Sequence, residues 1–356
     1  MGGRHFVFAV LGIALALATA VVAFNAWVDP FQHYRKAERF APRFYNAWQR
    51  YENPGIARHY DYDRIVTGSS LMENVLPRDV DRIMGGKTIN LSVSAQTAFD
   101  AGQLLRTALA TGKARQVIMN LDYNAFSGAP DRSGFSEPFP GYLYDDALWN
   151  DLPYVLGIGT LRKSVETAAG LRWSRFSSDP ERMWDWMDGA HFSARKVVQG
   201  LDPADLNAHF RQPARTLEGM QASFEANLVP VIEASPRVRF SFLYAPYTIL
   251  VWLDFEQRSQ LEVTLAFREW LVERTARYPN VEIFDFHAEP AMVLDLGRFT
   301  DIYHHSPEMS REVIRAMHEG RNRLTRESVR ANNEWLRRTA RGTSARQVIA
   351  KALAGA

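Results

Sequence analysis

A chain of 356 residues with 46% hydrophobic content can bury a sizeable core, which excludes a largely disordered protein. Its 42 lysines and arginines nearly balance 40 aspartates and glutamates, so a net charge of +2 leaves no electrostatic footprint for nucleic acid. The absence of cysteine excludes disulfides, thiolate catalysis and cysteine-ligated zinc.

Arg4 and His5 precede residues 6–28, FVFAVLGIALALATAVVAFNAWV, which carry no charge. At about 1.5 Å per residue this stretch is long enough to cross the roughly 30 Å hydrocarbon core of a bilayer. The positive flank predicts a single-pass signal anchor in the cytoplasmic membrane. Residues 1–5 are then inside, and the rest of the chain is periplasmic or extracellular. A cleaved signal peptide competes, because small residues stand at Ala18 and Ala20, although such peptides have apolar regions of only about 7–15 residues.

Residues 29–60 are polar and aromatic, are broken by Pro30, Pro42 and Pro54, and read as a membrane-proximal connector. A domain over 61–340 follows, in which strands alternate with helices. The apolar, β-branched runs at 64–68, 87–93, 115–122, 237–245 and 280–286 predict strands. Residues 76–84, 97–111, 217–233 and 255–278 have helical spacing. Such alternation predicts an α/β fold, a three-layer α/β/α sandwich around a parallel sheet of about five strands. Residues 127–213 form an aromatic, proline-rich insertion, which either covers a cleft or packs its tryptophans internally. The tail 341–356 is basic and then apolar, a surface helix.

In open parallel sheets ligands bind at the carboxyl ends of the strands. Ser69 and Ser70 stand there after the first strand, in IVTGSSLMEN; Ser92, Ser94 and Ala95 after the second; Asp122 and Asn124 after the third. A serine at a strand-to-helix turn can expose its hydroxyl while neighbouring N–H groups face a developing oxyanion, but serine is also a standard helix N-cap. The segment FTDIYHHSPEMS supplies a base. Asp301 and His304, three apart, let a carboxylate fix the imidazole tautomer while the other ring nitrogen faces a hydroxyl. His305 competes for that role, and Ser306 with Pro307 reads as a helix start. Adjacent histidines rarely share one ion and no His-Glu-x-x-His motif exists, so neither a metal nor a cofactor is expected.

The ordered set GSS, NLSVSAQT, NLDYNAF and DIYHHS resembles the successive blocks of the SGNH/GDSL hydrolase superfamily. More narrowly, it resembles the membrane-anchored branch that includes proteins of alginate O-acetylation and lipoteichoic-acid D-alanylation. The resemblance spans roughly residues 61–326, with the insertion outside it, and implies a flavodoxin-like sheet. It also implies Ser70 as nucleophile, His304 as base, Asp301 as its partner, and Ser70, Ala95 and Asn124 as oxyanion donors. The sequence departs from the family at Ala95, where a glycine is usual. It departs again at Asp122 in place of the glycine of Gly-x-Asn-Asp, and at Ala125 in place of the aspartate.

The expected chemistry is that of a serine esterase or an O-acyltransferase. The expected substrates are acyl esters of a cell-envelope glycan or polysaccharide, or an acylated small-molecule donor, with envelope assembly proteins as further partners. Tyr247, Tyr142 and Trp184 are candidates for sugar contact, with Tyr144 and Trp186 beside them. A catalytically silent descendant, structural within an envelope polysaccharide assembly, is the alternative.

Overall fold

The computed structural model describes residues 3–134, 138–208 and 213–355. They form two compact units, neither contiguous: Met1–Tyr60 with Pro138–Met183, and Asp61–Glu137 with Trp184–Ala356. Residues 135–137 and 209–212 of the predicted insertion lie outside the described residues. The remainder of that insertion does not behave as one piece, since Pro138–Met183 belongs with the first 60 residues and Trp184 onward with the sheet.

In the first unit the apolar stretch is a single helix, Gly3–Val28, long and apolar enough to cross a membrane. Residues 29–60, the predicted connector, are folded into this unit. Gln49–His59 is a helix, and Phe31 and Tyr45 pack with Leu143, Tyr154 and Val155 into an aromatic cluster that Tyr142, Tyr144 and Trp48 flank. Burial of large aromatic area explains why so proline-rich a sequence holds one conformation.

The second unit is built on five parallel strands: β1 (Arg64–Thr67), β2 (Thr88–Asn90), β3 (Gln116–Asn120), β4 (Arg239–Tyr244) and β5 (Val281–Asp285). Their order is β2-β1-β3-β4-β5, with Ile65 opposite both Ile89 and Val117, and Ile118 opposite Ser241. β1 and β3 are buried along their whole length, which is why they read as continuous apolar runs rather than alternating ones. The chain steps outward from β1 to β2, then returns past β1 to β3 and continues the other way. The order therefore reverses between β1 and β3, where a crevice opens at the carboxyl ends.

Helices Pro77–Met84 and Ala98–Ala110 cross between the first three strands, the second opened by a reciprocal capping box between Thr97 and Asp100. The two longer predicted helices are each broken. Pro230, which has no N–H, starts Val229–Ala234 after Leu217–Asn227 ends. Ser259, at φ 55°, separates Ile249–Gln257 from Leu261–Thr275. Towards the end of the chain come Pro307–His318, Arg326–Gly342 and the tail helix Ala345–Ala354.

Beside β5 lies a buried polar network. The Arg268 guanidinium pairs with Asp285, donates to Asn333 Oδ1 at 2.7 Å and to the Tyr123 hydroxyl at 2.9 Å, and that hydroxyl lies 3.0 Å from His287 Nδ1. Asn332 donates at 2.7 Å to the same oxygen, Asp285 Oδ2, that pairs with Arg268, and the backbone N–H of His287 donates to Oδ1 at 3.0 Å. Burial works to raise the Asp285 carboxyl, but the Arg268 charge together with His287 and the hydrogen bonds from Arg268 and Asn332 holds the group below its ordinary value. Burial and the same guanidinium push His287 down to about 3.

Candidate active site

The turn after β1 depends on Gly68. At φ 148° a side chain there is strained, and its Cβ would stand 2.6 Å from Met72 Cγ and 3.0 Å from Asn120 Cβ. The chain then enters a four-residue helix, Ser70–Glu73, with Ser69 as N-cap residue. Ser69 makes no side-chain cap, and its buried hydroxyl has no partner among the described residues. Ser70, the first helical residue, has no intrahelical acceptor for its own N–H. Asn90 locks the far end of this helix by donating to Met72 O at 2.7 Å and Val75 O at 2.9 Å.

Ser70 Oγ lies 2.8 Å from His304 Nε2, and His304 Nδ1 lies 2.7 Å from Asp301 Oδ2. A carboxylate only accepts, so Nδ1 carries the proton and Nε2 is left to accept from the serine hydroxyl. The other carboxylate oxygen accepts from the backbone N–H groups of Tyr303 and His304, each at 2.8 Å, which fixes the loop that presents the imidazole. Burial works to raise the Asp301 carboxyl, and its bonds to His304 bring it below its ordinary value. Its side chain is 47% exposed, so water screens part of this interaction.

The helix cap predicted next to this base coexists with it. Ser306 Oγ accepts from Met309 N at 3.3 Å, and Pro307 opens the helix. His304, not His305, holds the contact with Ser70; the His305 ring is buried edge-on to Phe299, and burial pushes it down to about 3.

His287 and His305 are both held neutral in the folded chain, with a consequence for acid stability. Below the ordinary histidine value of about 6.5 the unfolded chain takes up two protons that the folded chain refuses, so falling pH favours unfolding until about pH 3. Each histidine contributes a slope of about 1.4 kcal/mol per pH unit in that window. Urea titrations of the purified protein between about pH 7 and pH 4.5 should show unfolding free energy falling steadily, and substitution of both histidines by glutamine should flatten the slope.

Ala95 lies in the loop after β2, which continues the parallel pairing through Leu91 N to Val66 O and Val93 N to Gly68 O. It adopts φ 51°, the left-handed conformation that glycine takes most easily. An alanine there costs about 1–2 kcal/mol, partly offset by the lower chain entropy lost on folding. Ala95→Gly should therefore stabilise the protein by roughly 0.5–1 kcal/mol, read as a rise of about 1–3 °C in a thermal melt. Asn124 sits in the 3₁₀ turn Tyr123–Phe126 just past β3, where its N–H donates to Asp122 Oδ1 at 2.9 Å and its carbonyl accepts from Arg132 at 2.6 Å.

Ser70, Ala95, Asn124, Asp301 and His304 line one cavity of about 780 Å³, a size that suits a small molecule or a short polymer segment. The predicted sugar-contact residues do not join them. Tyr247 is buried against the His287 ring at 4.4 Å, and Trp184 is buried with its indole N–H donated to Asn90 O at 2.9 Å. Tyr142 and Tyr144 belong to the aromatic cluster of the first unit. Only Trp186 reaches the site, edge to face with His304 at 4.9 Å, on a backbone held by Asn74 Oδ1. Arg132, Lys196 and Tyr303 also line the cavity, and only Tyr303 stood inside a motif that sequence reading singled out.

Among the described residues, no three histidine or acidic side chains converge as metal ligands. No known protein-family model matches the chain, and no functionally characterised protein matches it either.

Proposed function

We propose that the second unit is a serine esterase or O-acyltransferase of the SGNH type, a three-layer flavodoxin-like domain acting on acyl esters of a cell-envelope glycan. The observation that carries this reading is the hydrogen-bonded chain from Ser70 through His304 to Asp301, which joins residues 234 positions apart at the mouth of a cavity. In the forward step Ser70 Oγ attacks the ester carbonyl and its proton passes to His304 Nε2. The alcohol leaves with that proton, and Ser70 is left acylated. Water or a sugar hydroxyl, deprotonated by His304, then takes the acyl group. In this reading the N–H groups of Ser70 and Ala95, with the Asn124 side chain, donate to the oxyanion; all three residues line the cavity.

The helix Gly3–Val28 anchors the chain in the cytoplasmic membrane with the N-terminus inside. Arg35, Lys36, Arg39 and Arg43 follow the helix, but long exported domains cross largely regardless of flanking charge. A fluorescent fluorophosphonate should label the purified protein at Ser70, and p-nitrophenyl acetate should give a burst of nitrophenol. If transfer is the reaction, the steady phase after the burst accelerates only when an oligosaccharide acceptor is added; if hydrolysis, the acceptor changes nothing. A folded wild type that neither labels nor bursts is the catalytically silent relative instead.

A further inference from the structure

Outside the apolar helix, the large hydrophobic side chains left exposed are unevenly placed. Leu148, Trp149, Leu152, Leu156 and Ile158 are 73%, 82%, 59%, 43% and 85% exposed, five within eleven residues, whereas Trp173, Leu294 and Leu353 each stand alone in the sequence. Leu148, Leu152 and Leu156 recur every fourth residue through two short helical turns, Leu148–Asn150 and Leu152–Val155, and Ile158 opens the helix Ile158–Ala168. The one acidic side chain among them, Asp151, is turned inward onto His33 at 3.3 Å. A stretch so apolar is not a water-facing surface.

Its height is fixed by the helix it packs on. Asn25 Nδ2, in the last turn of Gly3–Val28, donates to Val155 O at 2.8 Å. If hydrocarbon begins at Phe6, about 20 residues at 1.5 Å each cross the roughly 30 Å core and reach its far boundary near Asn25. Residues 148–158 therefore lie at that boundary. The same level carries the groups that prefer it. Trp27 is half exposed and packs edge-on against Phe40 at 5.5 Å, Arg35 donates to Ala26 O at 2.7 Å, and Arg39 donates to Trp27 O at 3.3 Å. Indole rings and guanidinium groups at one depth are suited to the headgroup region, with phosphates within reach.

We infer that residues 148–158 form a second membrane contact, a short amphipathic shelf whose leucines, Trp149 and Ile158 enter the outer edge of the acyl region beside the anchor helix. The inference rests on the reading of Gly3–Val28 as membrane-spanning, and is independent of any chemistry at Ser70. Two contacts hold the first unit in one orientation on the bilayer, where a single helix leaves it free to swivel.

The cysteine-free sequence makes the test direct. Leu15→Cys, Trp149→Cys and Ile158→Cys are made singly in the full chain, labelled with an environment-sensitive dye and reconstituted in phosphatidylcholine–phosphatidylglycerol vesicles. Labels at 149 and 158 should emit to the blue of the free dye, be quenched by lipids with a nitroxide near the headgroup, and be shielded from aqueous iodide. The label at 15 should be quenched best by a nitroxide deep in the acyl chain. A deep label at 15 with iodide-accessible labels at 149 and 158 overturns the shelf alone. Iodide access at all three sites overturns the membrane-spanning reading on which it rests. Shielding at 149 and 158 in native membranes but not in pure lipid overturns the shelf too, and assigns the patch to a protein partner.

Discussion

Ser70→Ala should abolish fluorophosphonate labelling and lower ester turnover by on the order of 10⁴- to 10⁶-fold while leaving the thermal melt nearly unchanged. The serine hydroxyl makes its hydrogen bond to His304, and the fold around it is held by other groups, Asn90 on the helix end and Gly68 in the turn. Asp301→Asn discriminates further. The asparagine carbonyl can still accept from the N–H groups of Tyr303 and His304, so the loop survives. Its amide, however, now donates to Nδ1, which moves the imidazole proton to Nε2 and leaves no acceptor for the serine proton. A loss on the order of 10⁴-fold in kcat is expected. An unchanged rate in Asp301→Asn would remove the carboxylate from the mechanism, and an unchanged rate in Ser70→Ala would remove the mechanism.

The second large effect lies beside β5 and concerns stability. Arg268→Met strands the Asp285 carboxylate in the interior with only Asn332 and one backbone N–H for company, and should cost about 3–5 kcal/mol. The Asp285 contribution is present above the ordinary carboxylate value and is lost as pH falls below it, so at neutral pH the full penalty is felt. Adding Asp285→Asn to Arg268→Met removes the stranded charge and should recover a substantial part of the loss in a urea titration. If the double variant is no more stable than the single one, lost packing of the arginine stem accounts for the effect rather than charge.

The sheet was legible because the middles of parallel strands buried on both faces are apolar, as in Ile65–Val66 and Val117–Met119, while the buried polar residues mostly stand at strand ends, as Thr67, Asn90, Asn120 and Asp285 do. The grouping of Ser70 with His304 and Asp301 was legible for a related reason, since Ser70 follows a strand end and the Asp-x-x-His segment leads into a helix start. The aromatic residues misled. Tyr247 and Trp184 occupy segments that look exposed because proline and glycine surround them, yet their rings are buried and their hydrogen bonds point inward. Composition cannot distinguish a ring that lines a cavity from one that fills a core. The partnership between residues 1–60 and 138–183 was also invisible, because it rests on contacts between distant segments, such as Phe44 paired with Ser177, that no local pattern records. His287 and Arg268 escaped notice for want of any motif, though they stand in the buried network beside β5.

That partnership bears on how the chain is made. The first 60 residues cannot complete their own unit when they emerge, because Leu143, Tyr154 and Val155, which enclose Phe31 and Tyr45, come after the whole of 61–137. Until then the nascent chain carries a cluster of uncovered aromatic rings immediately behind its apolar helix, at the stage when premature association is most costly. Closure of so long a loop adds only a slowly growing entropic cost to the finished protein, but it delays the first unit until about half the chain has been synthesised.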